Sequence, residues 1–305
     1  MAALPRHQSP LLRFARLVLR TRGVKRALST PELTELDRQR NVAAGPAEPR
    51  PRVLRTLEVH RNDHDGLVVF RAVPRRGATR DTLVYLPGGG YINPMVAEHW
   101  DLVAALAQRT GATVYIPQYT LAPAGTADTE VPRIARFLAT LAAEVPDPAQ
   151  LWLAGDSAGG GLAAATAVHL GASGGPAIAH LLLFSPWLDV ELTNPGIPAV
   201  AHRDPSLAVP GLRYAGKLWA GDRATSSPLV SPIHADPSLL PPTTLVIGTS
   251  DIFLPDSRKF AAGAREADAD IEYIEVSGGF HVFVGAPFIA ESRATLDIVA
   301  ARLTR

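Results

Sequence analysis

The sequence predicts an α/β fold, a doubly wound and mostly parallel sheet of about eight strands with a helical cap. Three observations predict it. Six short apolar runs recur along the chain: DTLVYLP (81–87), ATVYIPQY (112–119), LWLAGDS (151–157), HLLLFSP (180–186), TTLVIGTSD (243–251) and IEYIEVSG (271–278). Helix-forming stretches separate them, so the runs read as parallel strands buried on both faces. A further pair, VLRTLEVHR and LVVFRAV, alternates apolar and polar residues around NDHDG, and its Asp-Gly closes an antiparallel hairpin at one edge of the sheet.

The first 50 residues carry basic helices and a Pro-rich link, GPAEPRP. Six arginines and one lysine precede the first acidic residue, Glu32. In LLRFARLVLR, Arg13, Arg16 and Arg20 share one helical face, and Leu12, Ala15, Val18 and Leu19 share the other. Two readings follow: a helix docked on the domain by its apolar face, or a helix lying on a membrane surface. Arginines interrupt every candidate apolar core, which argues against a signal peptide, and no run reaches the ~18 apolar residues of a span.

Next comes the hairpin, where His60, Asp63, His64 and Asp65 cluster. Adjacent turn residues rarely converge on one ion, so these read as a polar turn and no metal site is expected. The crossovers follow: VAEHWDLVAALAQRT, EVPRIARFLATLAAEV, SAGGGLAAATAVHL, DSRKFAAGAREADA and a last helix near 286–304. One segment breaks the alternation. Almost 60 Pro-rich residues separate HLLLFSP from TTLVIGTSD, with RYAGKLWAG helical inside them. A connection that long is usually functional or a subdomain. The expected organisation is N-terminal cap helices over 1–50, a core over 51–190 and 236–305, and a cap insertion over 191–235.

The bulk composition narrows the function. With 305 residues, 47% hydrophobic and 19% charged, the chain is long and apolar enough for a large core. A net charge of +1 gives no global field for nucleic acid. The absence of cysteine removes disulfides, thiolate metal sites and thiol nucleophiles, and fits a cytoplasmic protein.

Chemistry enters at Gly155-Asp156-Ser157-Ala158-Gly159, where a buried strand runs into a Gly/Ala-rich helix. That is the nucleophile-elbow pattern: Ser157 occupies a strained strand-to-helix turn whose flanking glycines allow close packing. A serine hydroxyl needs a base, and the base an orienting acid. Asp251 ends TTLVIGTSD and His281 follows the last strand, so strand ends on one sheet edge bring both to Ser157. Asp256 is the rival acid, but it follows Pro255 and suits the first turn of the next helix. A tetrahedral intermediate needs fixed N–H donors, which the glycine run YLPGGGY can supply through Gly88 and Gly89, joined by Ala158 from the elbow. No P-loop or dinucleotide motif competes for those glycines.

PGGGY (87–91), YTLAP (119–123), GDSAGG (155–160), SPWLD (185–189), SPLVSP (227–232), GTSD (248–251) and FHVF (280–283) occur in that order. Together they resemble the hormone-sensitive-lipase-like branch of the α/β-hydrolases, bacterial carboxylesterases and lipases. The resemblance implies the triad Ser157, Asp251 and His281, the donors Gly88, Gly89 and Ala158, a cap from the N-terminus and the insertion, and no cofactor. It also implies a homodimer contact through the last strand and helix. One departure stands out. Pro87 occupies the position where the family's glycine motif begins with histidine, so the loop is expected to work but to be supported differently. The expected activity is hydrolysis of short-to-medium acyl or acetyl esters of apolar alcohols, a small-molecule substrate class. Lactone hydrolysis or deacetylation by the same triad and a non-catalytic receptor on the same fold are the alternatives. Tyr91, Trp100, Trp187, Phe253 and Phe283 lie near the motifs and are candidates to line an apolar pocket. His281 is expected to titrate near the ordinary ~6.5 of a histidine, so kcat/KM should rise between about pH 6 and 8.

Overall fold

The computed structural model describes residues 4–5, 7–21, 23–144 and 150–303. Arg6, Arg22, Val145 and Thr304, each within a segment read above as helical or basic, lie outside them. Eight strands form one sheet in the order β1-β2-β4-β3-β5-β6-β7-β8. They are β1 (Leu57–His64), β2 (Leu67–Pro74), β3 (Thr82–Leu86), β4 (Thr113–Pro117), β5 (Leu151–Asp156), β6 (His180–Phe184), β7 (Thr243–Gly248) and β8 (Ile271–Val276). β1 and β2 pair antiparallel, as do β2 and β4, and the other pairs are parallel. The continuous apolar runs became parallel strands because helices cover both faces. Every residue of β3, β5 and β7 is buried.

The hairpin turn is Asp65-Gly66, both at positive φ (52° and 78°), the geometry whose twist matches that of the flanking strands. Asp63 Oδ1 accepts the Gly66 N–H at 2.8 Å, and His60 Nε2 stands 2.9 Å from Glu58 Oε1. Of the cluster read as a polar turn, only Asp65 lies in the turn; His60, Asp63 and His64 belong to β1, because the strand pairing runs right up to the Asp-Gly corner. The described residues hold no group of three metal-type side chains that could bind an ion.

Two apolar layers flank the sheet. One holds α5 (Ala97–Thr110) and α11 (Ala290–Leu303), with Trp100, Phe184, Val246 and Phe283 at its centre. The other holds α6 (Ala127–Glu144), α7 (Ser157–Ser173) and α10 (Leu254–Glu266), with Tyr91, Leu183, Trp187 and Phe253.

The N-terminal segment divides between the two sides. α1 (Pro10–Thr21) lies against α11, with Leu12 fully buried and Glu291 accepting the Ser9 N–H and hydroxyl at 2.6 and 2.8 Å. α3 (Pro31–Ala44), which follows the single turn α2 (Val24–Ala27), packs instead on the insertion helix α9 (Val209–Ala220). The Tyr214 hydroxyl donates to Glu35 at 2.9 Å, and Lys25 Nζ donates to the carbonyls of Ala201 and Asp204 at 2.6 and 2.7 Å. The connection before β1 forms the turn α4 (Pro51–Leu54), and the insertion opens with the turn α8 (Ile197–Ala201). No helix among the described residues is long and apolar enough to cross a membrane.

Candidate active site

Ser157 begins α7 at the carboxyl end of β5, with φ at +53°. That left-handed backbone is unusual for a residue with a side chain. It survives here because the neighbours are bare: a Cβ on Gly155 would stand 2.2 Å from the Gly159 carbonyl oxygen, and one on Gly159 would stand 2.0 Å from that of Leu86. Only glycine lets strand, turn and helix approach this closely, which is the close packing that the spacing predicts.

The turn aims the serine at His281. His281 Nε2 lies 2.8 Å from Ser157 Oγ, and its Nδ1 lies 2.9 Å from Asp251 Oδ2. Asp251 follows β7, is fully buried, and accepts the Phe253 N–H through Oδ1 at 3.0 Å. The His281 loop follows β8 and is tied back on both sides: Gly279 O accepts from Ser250 N at 2.8 Å, and Ser185 Oγ accepts from Val282 N at 3.1 Å. Three residues from distant parts of the chain thus form one hydrogen-bond line at the carboxyl ends of the parallel strands.

Burial opposes the imidazolium form of His281. Asp251 beside Nδ1, with Asp204 and Asp156 farther away, outweighs burial and raises the group above its ordinary 6.5. That corrects the expectation of an unshifted histidine, because the sequence did not show how many carboxylates would converge here. Asp256 holds the third position of α10 while His281 Nδ1 bonds Asp251, so Asp256 is the first-turn carboxylate of that helix.

The glycine loop differs from expectation in one donor. The Gly88 N–H donates to Asp156 Oδ1 at 2.9 Å and is not free for an oxyanion. Asp156 is buried beside Ser157 and turns its carboxylate back beneath the loop, where the Tyr85 hydroxyl also donates to it. His99 completes this anchor from α5. Its Nδ1 accepts the Val96 N–H at 2.8 Å, which leaves the proton on Nε2, 3.4 Å from Asp156 Oδ2. Burial works against the Asp156 charge, but His99, Tyr85 and Gly88 together bring its pKa below the ordinary carboxylate value. The N–H groups of Gly89 and Gly90 make no hydrogen bond among the described residues. Together with the first-turn amide of Ala158, they are the candidate oxyanion donors. Pro87 is held through its carbonyl, which accepts the Tyr119 hydroxyl at 2.8 Å. Main-chain and buried polar contacts thus pin the loop without a histidine at position 87.

The aromatic candidates do not line an open pocket. Tyr91, Trp187, Phe253, Phe283 and Trp100 are each at most 1% exposed. Phe283 and Trp100 fill the layer of α5 and α11. The other three stack in a row that ends on the base: Trp219–Tyr91 at 4.1 Å, Tyr91–Trp187 at 5.4 Å, Trp187–Phe253 at 5.8 Å, and Phe253 edge-on to His281 at 5.2 Å. Stacking satisfies their large apolar faces within the protein. Sequence position near the motifs could not separate lining from filling.

A family described as alpha/beta hydrolase fold matches residues 83–285, more than half of the chain, and the chain belongs to it. It is 34% identical over 189 residues to a triacylglycerol lipase of Mycobacterium tuberculosis, covering 62% of this chain and 38% of that longer protein. It is 29% identical over 223 residues to an acetyl-hydrolase of Streptomyces hygroscopicus, covering 73% of this chain and 75% of that one. Among solved structures, an esterase from the bacterial hormone-sensitive lipase family superposes with a TM-score of 0.85 at 26% identity, over 98% of both chains. This is a hormone-sensitive-lipase-like α/β-hydrolase of the carboxylesterase type, and its reaction is ester hydrolysis.

Proposed function

We propose that the chain hydrolyses short acyl or acetyl esters of apolar alcohols by a serine mechanism. The observation that carries this reading is the line Ser157 Oγ–His281 Nε2–His281 Nδ1–Asp251. His281 Nε2 takes the proton as Ser157 Oγ attacks the ester carbonyl. The carbonyl oxygen becomes an oxyanion that receives the N–H groups of Gly89, Gly90 and Ala158. The tetrahedral adduct collapses, the C–O bond to the alcohol breaks, and His281 returns its proton to the leaving oxygen. Water attacks the acyl-enzyme by the same route and releases the acid. Asp251 holds Nδ1–H and stabilises the imidazolium. The ring row from Trp219 to Phe253 occupies the volume beside His281, which favours a small acyl group. α3 with the 191–235 insertion forms the cap under which the alcohol sits. The acetyl-hydrolase named above supports the acyl preference.

Wild type and Ser157→Ala, compared on p-nitrophenyl esters from acetate to palmitate, test this. Hydrolysis by wild type should favour the shortest esters, and an organophosphate should label Ser157. Full activity in Ser157→Ala would overturn the proposal, and a preference for palmitate would overturn its substrate class.

A further inference from the structure

α1 uses only part of its apolar surface to dock on the protein. Leu12 is buried, and Ala15 and Leu19 pack on the core beside it. Leu11, Phe14 and Leu17, one helical turn apart in succession, are 50, 62 and 59% exposed. Three large side chains in succession on the outer side of a docked surface helix expose apolar area that folding alone does not explain.

The flank of that line is basic. Arg13, Arg16 and Arg20 border an open groove of about 600 Å³ that His7, Gln8 and Ser277 close on the far side. Leu17 lines the same groove, so the apolar line and the arginines share a border. The Nε of Arg16 is buried with no hydrogen-bond partner among the described residues, its Nη1 reaches only the Gln8 side-chain oxygen Oε1 at 3.5 Å, and Arg20 and Arg203 crowd the same guanidinium with like charge. Glu291 faces the helix start, but Ser9 occupies both its oxygens. No carboxylate among the described residues forms an ion pair with Arg13, Arg16 or Arg20, so an anion is what they would accept.

We infer that α1 is a docking surface for anionic phospholipid, with Leu11, Phe14 and Leu17 entering the acyl region and Arg13, Arg16 and Arg20 meeting the headgroup phosphates. A lipid surface presents phosphate and apolar chain together, which fits a groove that joins both kinds of lining. The Gln8 amide donates to Ser277 Oγ at 3.3 Å, just after β8, so docking would hold the protein by the side of the sheet from which the His281 loop springs. The inference does not depend on the ester chemistry, since its readout is binding.

The test is sedimentation of the full chain with vesicles of phosphatidylcholine alone or mixed with phosphatidylglycerol. Wild type should bind the mixed vesicles, release with added salt, and bind phosphatidylcholine weakly. Phe14→Glu with Leu17→Glu should lose binding at least about tenfold, and each of Arg13→Gln and Arg20→Gln about fivefold. Activity on a soluble p-nitrophenyl ester should stay at the wild-type value in all of them and so report folding. The inference is overturned if wild type ignores mixed vesicles at low salt, or if the double variant binds as wild type does. It is equally overturned if the double variant only converts a dimer to a monomer, or if free phosphate competes while vesicles do not bind.

Discussion

The Gly88 N–H donates to the Asp156 carboxylate at 2.9 Å, so the residue before the nucleophile holds the loop that faces it. The same carboxylate receives Tyr85 and stands 3.4 Å from His99 Nε2. One carboxylate therefore ties the elbow to the glycine loop. Asp156→Asn keeps an acceptor oxygen but removes the charge and turns an amide toward donors. We expect kcat to fall about tenfold to hundredfold with KM little changed, as for a displaced oxyanion donor. The Asp156 charge also helps raise His281, so the pH midpoint of kcat/KM should move down. A pH-rate profile that matches wild type would refute this coupling.

Asp204 gives a second handle on the base. Its Oδ2 accepts the Ile252 N–H at 2.9 Å, and its Oδ1 accepts Ser206 N and Leu207 N at 2.8 and 2.9 Å. Burial and then Asp251 raise its own pKa, while its charge helps raise that of His281. The base works as neutral imidazole, so every anion that favours imidazolium moves the rising limb of kcat/KM to higher pH. In wild type that limb should have its midpoint above 6.5. Asp204→Asn should move it down and leave the high-pH plateau within about threefold. Parallel pH titrations of both proteins check the sign.

The parts legible in the sequence are those that one strand or one turn encodes. Parallel strands covered on both sides must be apolar throughout, so β3, β5 and β7 announced themselves. The elbow needs glycine two residues either side of Ser157, and the atoms that a Cβ would strike explain why. The Asp156 anchor was not legible, because Tyr85, Gly88 and His99 converge on it from β3, the loop and α5 only after folding. Asp204 was hidden for the same reason, inside an insertion with no periodic pattern. Aromatic residues looked the same whether they were to line a pocket or to fill a core. Their stacking depends on partners such as Trp219, which is more than 100 residues from Tyr91 along the chain.

That stack supports a third prediction. Trp219 is fully buried, lies 4.1 Å from Tyr91 at 3° to parallel, and its indole N–H has no hydrogen-bond partner among the described residues. Trp219→Phe keeps a ring against Tyr91 and removes the orphaned donor, so stability should change by no more than about 1.5 kcal/mol. Trp219→Ala empties the site and should cost about 3–5 kcal/mol. Urea denaturation separates the two, and equal losses would show that ring contact with Tyr91 contributes nothing.

Asp256 makes its own contribution to the pH dependence of folding. It is 1% exposed, and neither carboxylate oxygen has a hydrogen-bond partner among the described residues. Burial, with Asp189 nearby, raises it from 3.8 to about 6, against the weaker pull of Asn194 and Lys259 toward the ionised form. The folded protein therefore binds this proton more tightly than the unfolded chain. Below pH 3.8 both states are protonated and the group costs nothing. Between 3.8 and about 6 the unfolded chain releases the proton first, so this contribution to stability falls as pH rises. Above that range the folded state carries a buried, unpaired charge at a cost on the order of 2–3 kcal/mol. Asp256→Asn has nearly the same shape and no charge. It should stabilise the protein at pH 8 by a similar amount and leave it nearly unchanged at pH 4. Urea denaturation of both proteins at the two pH values measures the difference. A gain of equal size at both would mean that packing, not ionisation, penalises the aspartate.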